Sequence, residues 1–163
     1  MLQGLVAGRI REITDMRWSE LHPSVNEWAL PPELSKNKQR HVVLLSEPAA
    51  EILERRKRWR SEVDEFVFPA PNDRRRTARS DLVQKALEEN REALGVTAGW
   101  TSHSVRHSFT TVAAERGHPV QVVDRCTNHK IAAGTINANY NHATLNEPAR
   151  QLWAECAEYL AKG

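Results

Sequence analysis

Apolar residues recur at helical spacing along most of this 163-residue chain and form short extended-type runs in only a few places. The earliest helical stretch covers residues 9–17. Trp28-Ala-Leu30 and His41-Val-Val-Leu-Leu45 alternate or run apolar, and a polar turn around Asn37 separates them. They predict an antiparallel hairpin. Phe66-Val-Phe68, stopped by Pro69, predicts a third strand. Pro48 opens a helix through residue 60 with Ile52 and Leu53 inward. Residues 79–94 predict another, with Leu82, Val83, Ala86 and Leu87 packed and an end near Gly95. A final helix starts at about Pro148 and carries Leu152, Trp153, Cys156 and Leu160 on one stripe.

Between these lie two helices with unusual polar content. Residues 101–117 have a cap in Thr101 or Ser102 and a stop in Gly117 followed by Pro119. Val105, Phe109 and Val112 define a buried face, and a step of roughly 100° per residue gathers His103, Arg106, His107 and Thr110 opposite. Alone, that is an ordinary solvated face. The next helix begins at Pro119, uses Val120, Val122 and Val123 as its apolar surface, and runs into Asn128-His129. Small residues over 131–139 then lead to Tyr140, flanked by Asn139 and Asn141. The ordered set His103-x-x-Arg106, Asn128-His129, Tyr140 favours a phosphodiester-holding site with a phenol nucleophile over three unrelated surface residues.

Composition narrows the class. The length suits one domain with its own core. No apolar run reaches membrane length, so no membrane partner is expected. Cys126 and Cys156 are the only cysteines and fit a reducing compartment. Cys126 and His129 are spaced as a zinc pair would be, but a site needs two further ligands, and zinc is not expected. Net charge is only +2, but it is uneven. Residues 36–79 hold 12 Lys and Arg against 7 Asp and Glu, a balance of +5 that leaves −3 for the remainder. The run at 55–60 reads equally as a track for a DNA backbone or as a solvated helix face. Arg74, Arg75 and Arg76 follow Pro69, Pro71 and Asn72, which places them in a mobile loop suited to phosphate contact.

Taken together, these motifs resemble the catalytic domain of the tyrosine recombinases of the phage integrase type. That family has an arginine in an R-x-x-E context, a hairpin lysine, H-x-x-R, a late histidine and the tyrosine. Here Arg9 with supporting Glu12 resembles the first block, and Lys36 is the hairpin lysine, with Lys38 its rival. The resemblance implies an α+β, mainly helical fold with a small three-stranded antiparallel sheet, the DNA breaking-rejoining fold. It implies that Tyr140 attacks phosphorus to give a 3′-phosphotyrosine, and that His103 helps accept the phenolic proton. Lys36 protonates the departing 5′-oxygen, and His129 hydrogen-bonds the phosphate. Arg9 and Arg106 clamp the non-bridging oxygens, a task suited to the planar guanidinium fork. Double-stranded DNA is the implied partner, contacted also by Lys38, Arg40, Arg74, Arg75 and Arg76, with a homotetramer assembled on two duplexes. No ATP, metal or nicotinamide cofactor is implied, and the implied location is the cytoplasm of a bacterium, from a bacterial or phage gene.

Several positions depart from the family pattern. The usual H-x-L-R-R-T is His103-Ser-Val-Arg106-His107-Ser, the usual Leu-Gly before the late histidine is Thr127-Asn128, and the usual T-G-x-R is Val6-Ala-Gly-Arg9. Arg11 and Arg17 are substitutes for Arg9. The resemblance implies that residues 1–163 are one catalytic domain with a truncated start and an absent N-terminal core-binding domain, and that the isolated domain binds DNA weakly and cuts slowly. A type IB topoisomerase-like enzyme would rejoin the same strand rather than a partner duplex. A non-catalytic DNA-binding remnant would form no covalent intermediate, and a metal-dependent nuclease would be stopped by EDTA.

Overall fold

A computed structural model describes residues 1–93, 95, 99, 101–129 and 145–162. The short helix α1 (Leu2–Val6) precedes α2 (Ile10–Thr14), and a three-stranded antiparallel sheet follows, β1 (Leu21–His22), β2 (Glu27–Leu30) and β3 (His41–Leu44), in the order β1-β2-β3. Next come α3 (Glu47–Lys57) and a separate two-stranded ribbon, β4 (Pro69–Ala70) with β5 (Asp73–Thr77). Helices α4 (Ser80–Glu89), α5 (Ser102–Glu115), α6 (Val120–Thr127) and α7 (Asn146–Lys162) complete the described chain.

The core forms where α7 crosses the others. Ala149, Leu152 and Trp153 are fully enclosed, and α7 packs on α1, α3, α5, α6 and β3. Leu2, Leu5 and Val6 add α1 to that core, though five residues are too few to show a helical period. Gly4 lets α1 come close, since a Cβ there would lie 3.0 Å from Leu160 Cδ1 and 3.2 Å from Val105 Cγ1. The sheet covers the core's other side. Trp28 pairs with Val43 and Leu30 with His41, and all four side chains are buried.

Several expectations are corrected. The helix at 9–17 is only α2, because the next residues leave it to pair elsewhere. Val67 N–H donates to Met16 O at 2.9 Å and Trp18 N–H to Glu65 O at 3.1 Å. Phe66–Phe68 therefore does not join the hairpin. Phe66 bridges Arg17, and the third strand of the sheet is β1. Arg74, Arg75 and Arg76 are not in a loop. They form β5, which turns back on β4 through Pro71 and Asn72 with Pro69 opposite Thr77. Of Leu82, Val83, Ala86 and Leu87, expected to be packed, Leu82 and Ala86 are exposed and Val83 and Leu87 only half-buried. No residue of α4 is buried, because the helix lies on the outside against α2. Leu160 is 41% exposed on the last turn of α7 rather than in the core.

Candidate active site

Helix α5 forms as its sequence predicts. The Thr101 hydroxyl accepts from Ser104 N–H at 3.3 Å, and Gly117 just past its end has φ 74°. Its polar face, however, straddles the surface. His103 and His107 are exposed and stack edge to face at 4.6 Å, while Arg106 turns inward and is 6% exposed. Its Nη1 donates to Ala7 O and its Nη2 to Thr127 O. Ala7 caps α1 and Thr127 ends α6, so one guanidinium satisfies orphan carbonyls at two helix C-termini. That pairing explains how a cation is tolerated at this depth.

Arg9 arrives at the same place from the other end of the chain. It is the N-cap of α2, with an extended backbone at φ −72° and ψ 147°. Glu12 fixes it twice: Oε2 accepts from Arg9 N–H at 2.8 Å and Oε1 from Nη1 at 2.9 Å. Nη2 then reaches Asn128 O at 3.4 Å, one residue beyond the carbonyl bound by Arg106. Two guanidinium groups and one buried carboxylate therefore meet at the carbonyl end of α6, leaving a net positive charge. Burial, and then the neighbouring Arg9, push the Arg106 ionisation down to about 10, opposed by Glu12. Arg106 still carries its charge at neutral pH, and an anion placed between the two would relieve their repulsion.

The β2–β3 connection docks on that same helix end. Asn128 has left-handed backbone (φ 51°, ψ 47°), and its carbonyl accepts from Asn37 Nδ2 at 2.6 Å. Its side chain also bonds Asn37 and Ser35, the two neighbours of Lys36. Lys36 itself is exposed. Lys38 points elsewhere, with backbone φ 56° and Nζ 3.5 Å from Glu33 O. His129 follows Asn128 directly, half-exposed, with Nδ1 3.2 Å from Asp124 Oδ1. Tyr140 lies outside the described residues.

Two buried cationic-type groups went unnoticed in the sequence. His41, opposite Leu30 in the sheet, is 3.4 Å through Nδ1 from Arg125 Nη1. Burial first, then Arg125, Arg106 and Arg9, push its pKa down to about 3, so it is neutral. Arg125 donates to Asn146 Oδ1 at 3.1 Å and lies over the Trp153 ring. Neutral His41 spares this layer a further positive charge beneath the arginine pair. Burial raises both cysteine thiols, Cys156 to about 12, which makes them poor nucleophiles and metal ligands.

Of the remaining cations, Arg74 is committed to the fold. Its Nε donates to Asp64 Oδ1 at 2.7 Å, its Nη2 to Asp64 Oδ2 and, at 3.2 Å, to Trp59 O. Asp64 is buried, and this pairing holds its carboxyl down at about 2. Arg75, Arg76 and Arg40 are exposed, with Arg76 Nε 3.4 Å from Asp73. Among the described residues no three His, Cys, Asp or Glu side chains cluster as a metal site, and no helix is long and apolar enough to cross a membrane.

The sequence profile of the Phage integrase family matches residues 2–147. The chain belongs to this family. Prophage integrase IntA of Escherichia coli (strain K12) is 30% identical over 166 aligned positions, which cover all of this chain and 39% of that protein. The chain thus spans about two fifths of the length of this curated relative. Among solved structures, the integrase from mycobacterium phage Brujita superposes with a TM-score of 0.70 at 17% identity, covering 95% of this chain and 49% of that one. The Tn1549 transposon integrase, solved in complex with circular intermediate DNA, gives 0.64 at 12% identity, covering 87% and 55%. The integrase fold accounts for the mainly helical body with its small antiparallel sheet.

Proposed function

We propose that residues 1–163 act as the catalytic domain of a site-specific tyrosine recombinase that integrates or excises DNA through a covalent 3′-phosphotyrosine. The supporting observation is the meeting of Arg9 and Arg106, from distant segments, at one helix end on which the Lys36 loop also docks. The two guanidinium groups would hold the non-bridging oxygens of one phosphate and stabilise the charge of its five-coordinate transition state.

The Tyr140 phenol oxygen attacks phosphorus. A Tyr O–P bond forms and the P–O5′ bond breaks. The phenolic proton goes to His103, and Lys36 Nζ gives a proton to the departing O5′ to leave a 5′-hydroxyl. His129 donates a hydrogen bond to the phosphate. A second strand's 5′-hydroxyl reverses these steps onto a new partner, so the bond energy is conserved and no nucleotide or metal enters the balance. Lys36 rather than Lys38 suits the acid role, because the neighbours of Lys36 bind the helix end while Lys38 is turned to Glu33.

The partner is double-stranded DNA, a reading supported by the Tn1549 integrase in complex with circular intermediate DNA, with Lys38, Arg40, Arg75 and Arg76 as exposed phosphate contacts and Arg74 bracing the ribbon that carries two of them. Assembly as a homotetramer on two duplexes, in the bacterial cytoplasm, belongs to the same reading. A nicked suicide duplex tests it. Wild-type protein should give a covalent protein–DNA band on a denaturing gel, with or without EDTA, and Tyr140→Phe should give none. A band that persists in the Phe variant, or one that EDTA abolishes, refutes it.

A further inference from the structure

We infer that Asn128 is a positioning residue that holds the Lys36 loop against the arginine pair, so that the general acid is delivered from a preset loop. The inference rests on the recombinase reading above. A left-handed residue at the end of α6 needs only a short or absent side chain, and glycine would serve the backbone at least as well. Asn128 does more than cap. It is 9% exposed and uses both ends of its amide. Its Nδ2 donates to Ser35 Oγ at 3.0 Å, and its Oδ1 accepts from Asn37 Nδ2 at 3.1 Å. Both partners lie more than ninety residues away in sequence, on either side of Lys36. Ser35 is 1% exposed, so the loop is anchored in the protein at that point. The Asn128 carbonyl meanwhile accepts from both Asn37 and Arg9. One residue thus ties the loop, the first arginine and the helix end that holds the second.

Asn128→Gly isolates the side chain, because it keeps the left-handed backbone and the carbonyl that Arg9 uses. Losing the two amide bonds should lower the docked fraction of the loop about tenfold. The assay is single-turnover covalent cleavage of two suicide duplexes that differ only at the leaving atom, a normal 5′-oxygen or a bridging 5′-sulfur. Sulfur leaves without a proton, so its departure does not need Lys36. The variant should cleave the oxygen duplex about tenfold slower and the sulfur duplex at close to the wild-type rate. Asn37→Ala removes, from the loop side, its bonds to both the Asn128 side chain and the Asn128 carbonyl and should show the same split. Hydrogen exchange at the Ser35 and Lys38 amides should accelerate in both variants. A wild-type rate on the oxygen duplex overturns the inference, and so does an equal loss on both duplexes, which would place the defect in the arginine pair. If the wild-type protein forms no adduct on either duplex, the recombinase reading fails and this one with it. Unchanged amide exchange in Asn128→Gly would refute the pinned loop alone.

Discussion

Replacing Arg106 by lysine keeps the charge and removes the fork. In the native protein its two Nη groups bind carbonyls of Ala7 and Thr127, which come from different helices. A lysine ammonium is a single compact donor set on a flexible stem and cannot span both while facing a phosphate. One buried carbonyl then loses its partner, at a cost of about 1–3 kcal/mol. Against a domain stability on the order of 5–15 kcal/mol, the variant stays almost wholly folded. The catalytic cost should be larger. Loss of one preorganised donor to a developing oxyanion slows the step by about a hundredfold to a thousandfold, or roughly 3–4 kcal/mol of barrier. With its ionisation pushed down to about 10 by burial and Arg9, Arg106 is charged at neutral pH, so the native enzyme carries both fork and charge into the comparison. Rapid-quench measurement of covalent adduct on a nicked duplex gives the rate, and urea unfolding gives the stability. A wild-type rate in Arg106→Lys would refute the clamp. A rate loss matched by an equal fraction of unfolded protein would reduce Arg106 to a structural residue.

Two further predictions concern groups around the site. His41 is held neutral in the folded protein with a pKa near 3, against about 6.5 when unfolded. Between those values the unfolded chain binds the extra proton, so its contribution to stability is present above about pH 6.5 and is lost as the pH falls toward 3. The native protein should lose about 1 kcal/mol per pH unit over that window from this group. His41→Gln should flatten the slope in urea titrations run at successive pH values, and an unchanged slope would show that His41 is not buried neutral. In the basic ribbon, Arg75→Ala with Arg76→Ala should reduce the dependence of log DNA affinity on log salt by about two while leaving the melting temperature near wild type. Arg74→Ala should instead lower the melting temperature by stranding the buried Asp64 carboxylate, and a melt unchanged by that variant would contradict the structural assignment.

Local signals in the chain were good guides where one residue decides one feature. Thr101 and Gly117 mark the ends of α5, and the apolar runs at Trp28 and His41 mark the hairpin. Failures came where the outcome depends on what a segment meets in space. Phe66–Phe68 reads as a strand under any periodicity, but its partner is the stretch at Arg17, chosen by packing of Met16 and Val67. The stripe on α4 is amphipathic and yet unburied among the described residues. Arg74 and Arg75 are adjacent, chemically identical and both exposed, and only the pairing with buried Asp64 gives Arg74 its structural role. Within the site, the spacing of His103 and Arg106 was legible, but the depth of Arg106 was not, because it depends on carbonyls of Ala7 and Thr127. Asn128 was visible as a departure, and the left-handed backbone explains why asparagine is accepted there. Its bonds to Ser35 and Asn37 required the fold.

In the proposed reaction one phosphate, held by Arg9 and Arg106, is attacked by the oxygen of Tyr140. Proteolysis of the adduct trapped on a nicked duplex, followed by mass spectrometry of the nucleotide-linked peptide, tests it directly. A single modified peptide is expected, with the nucleotide on Tyr140 through its 3′-phosphate. A nucleotide carried on any other side chain, or on a 5′-phosphate, would contradict it.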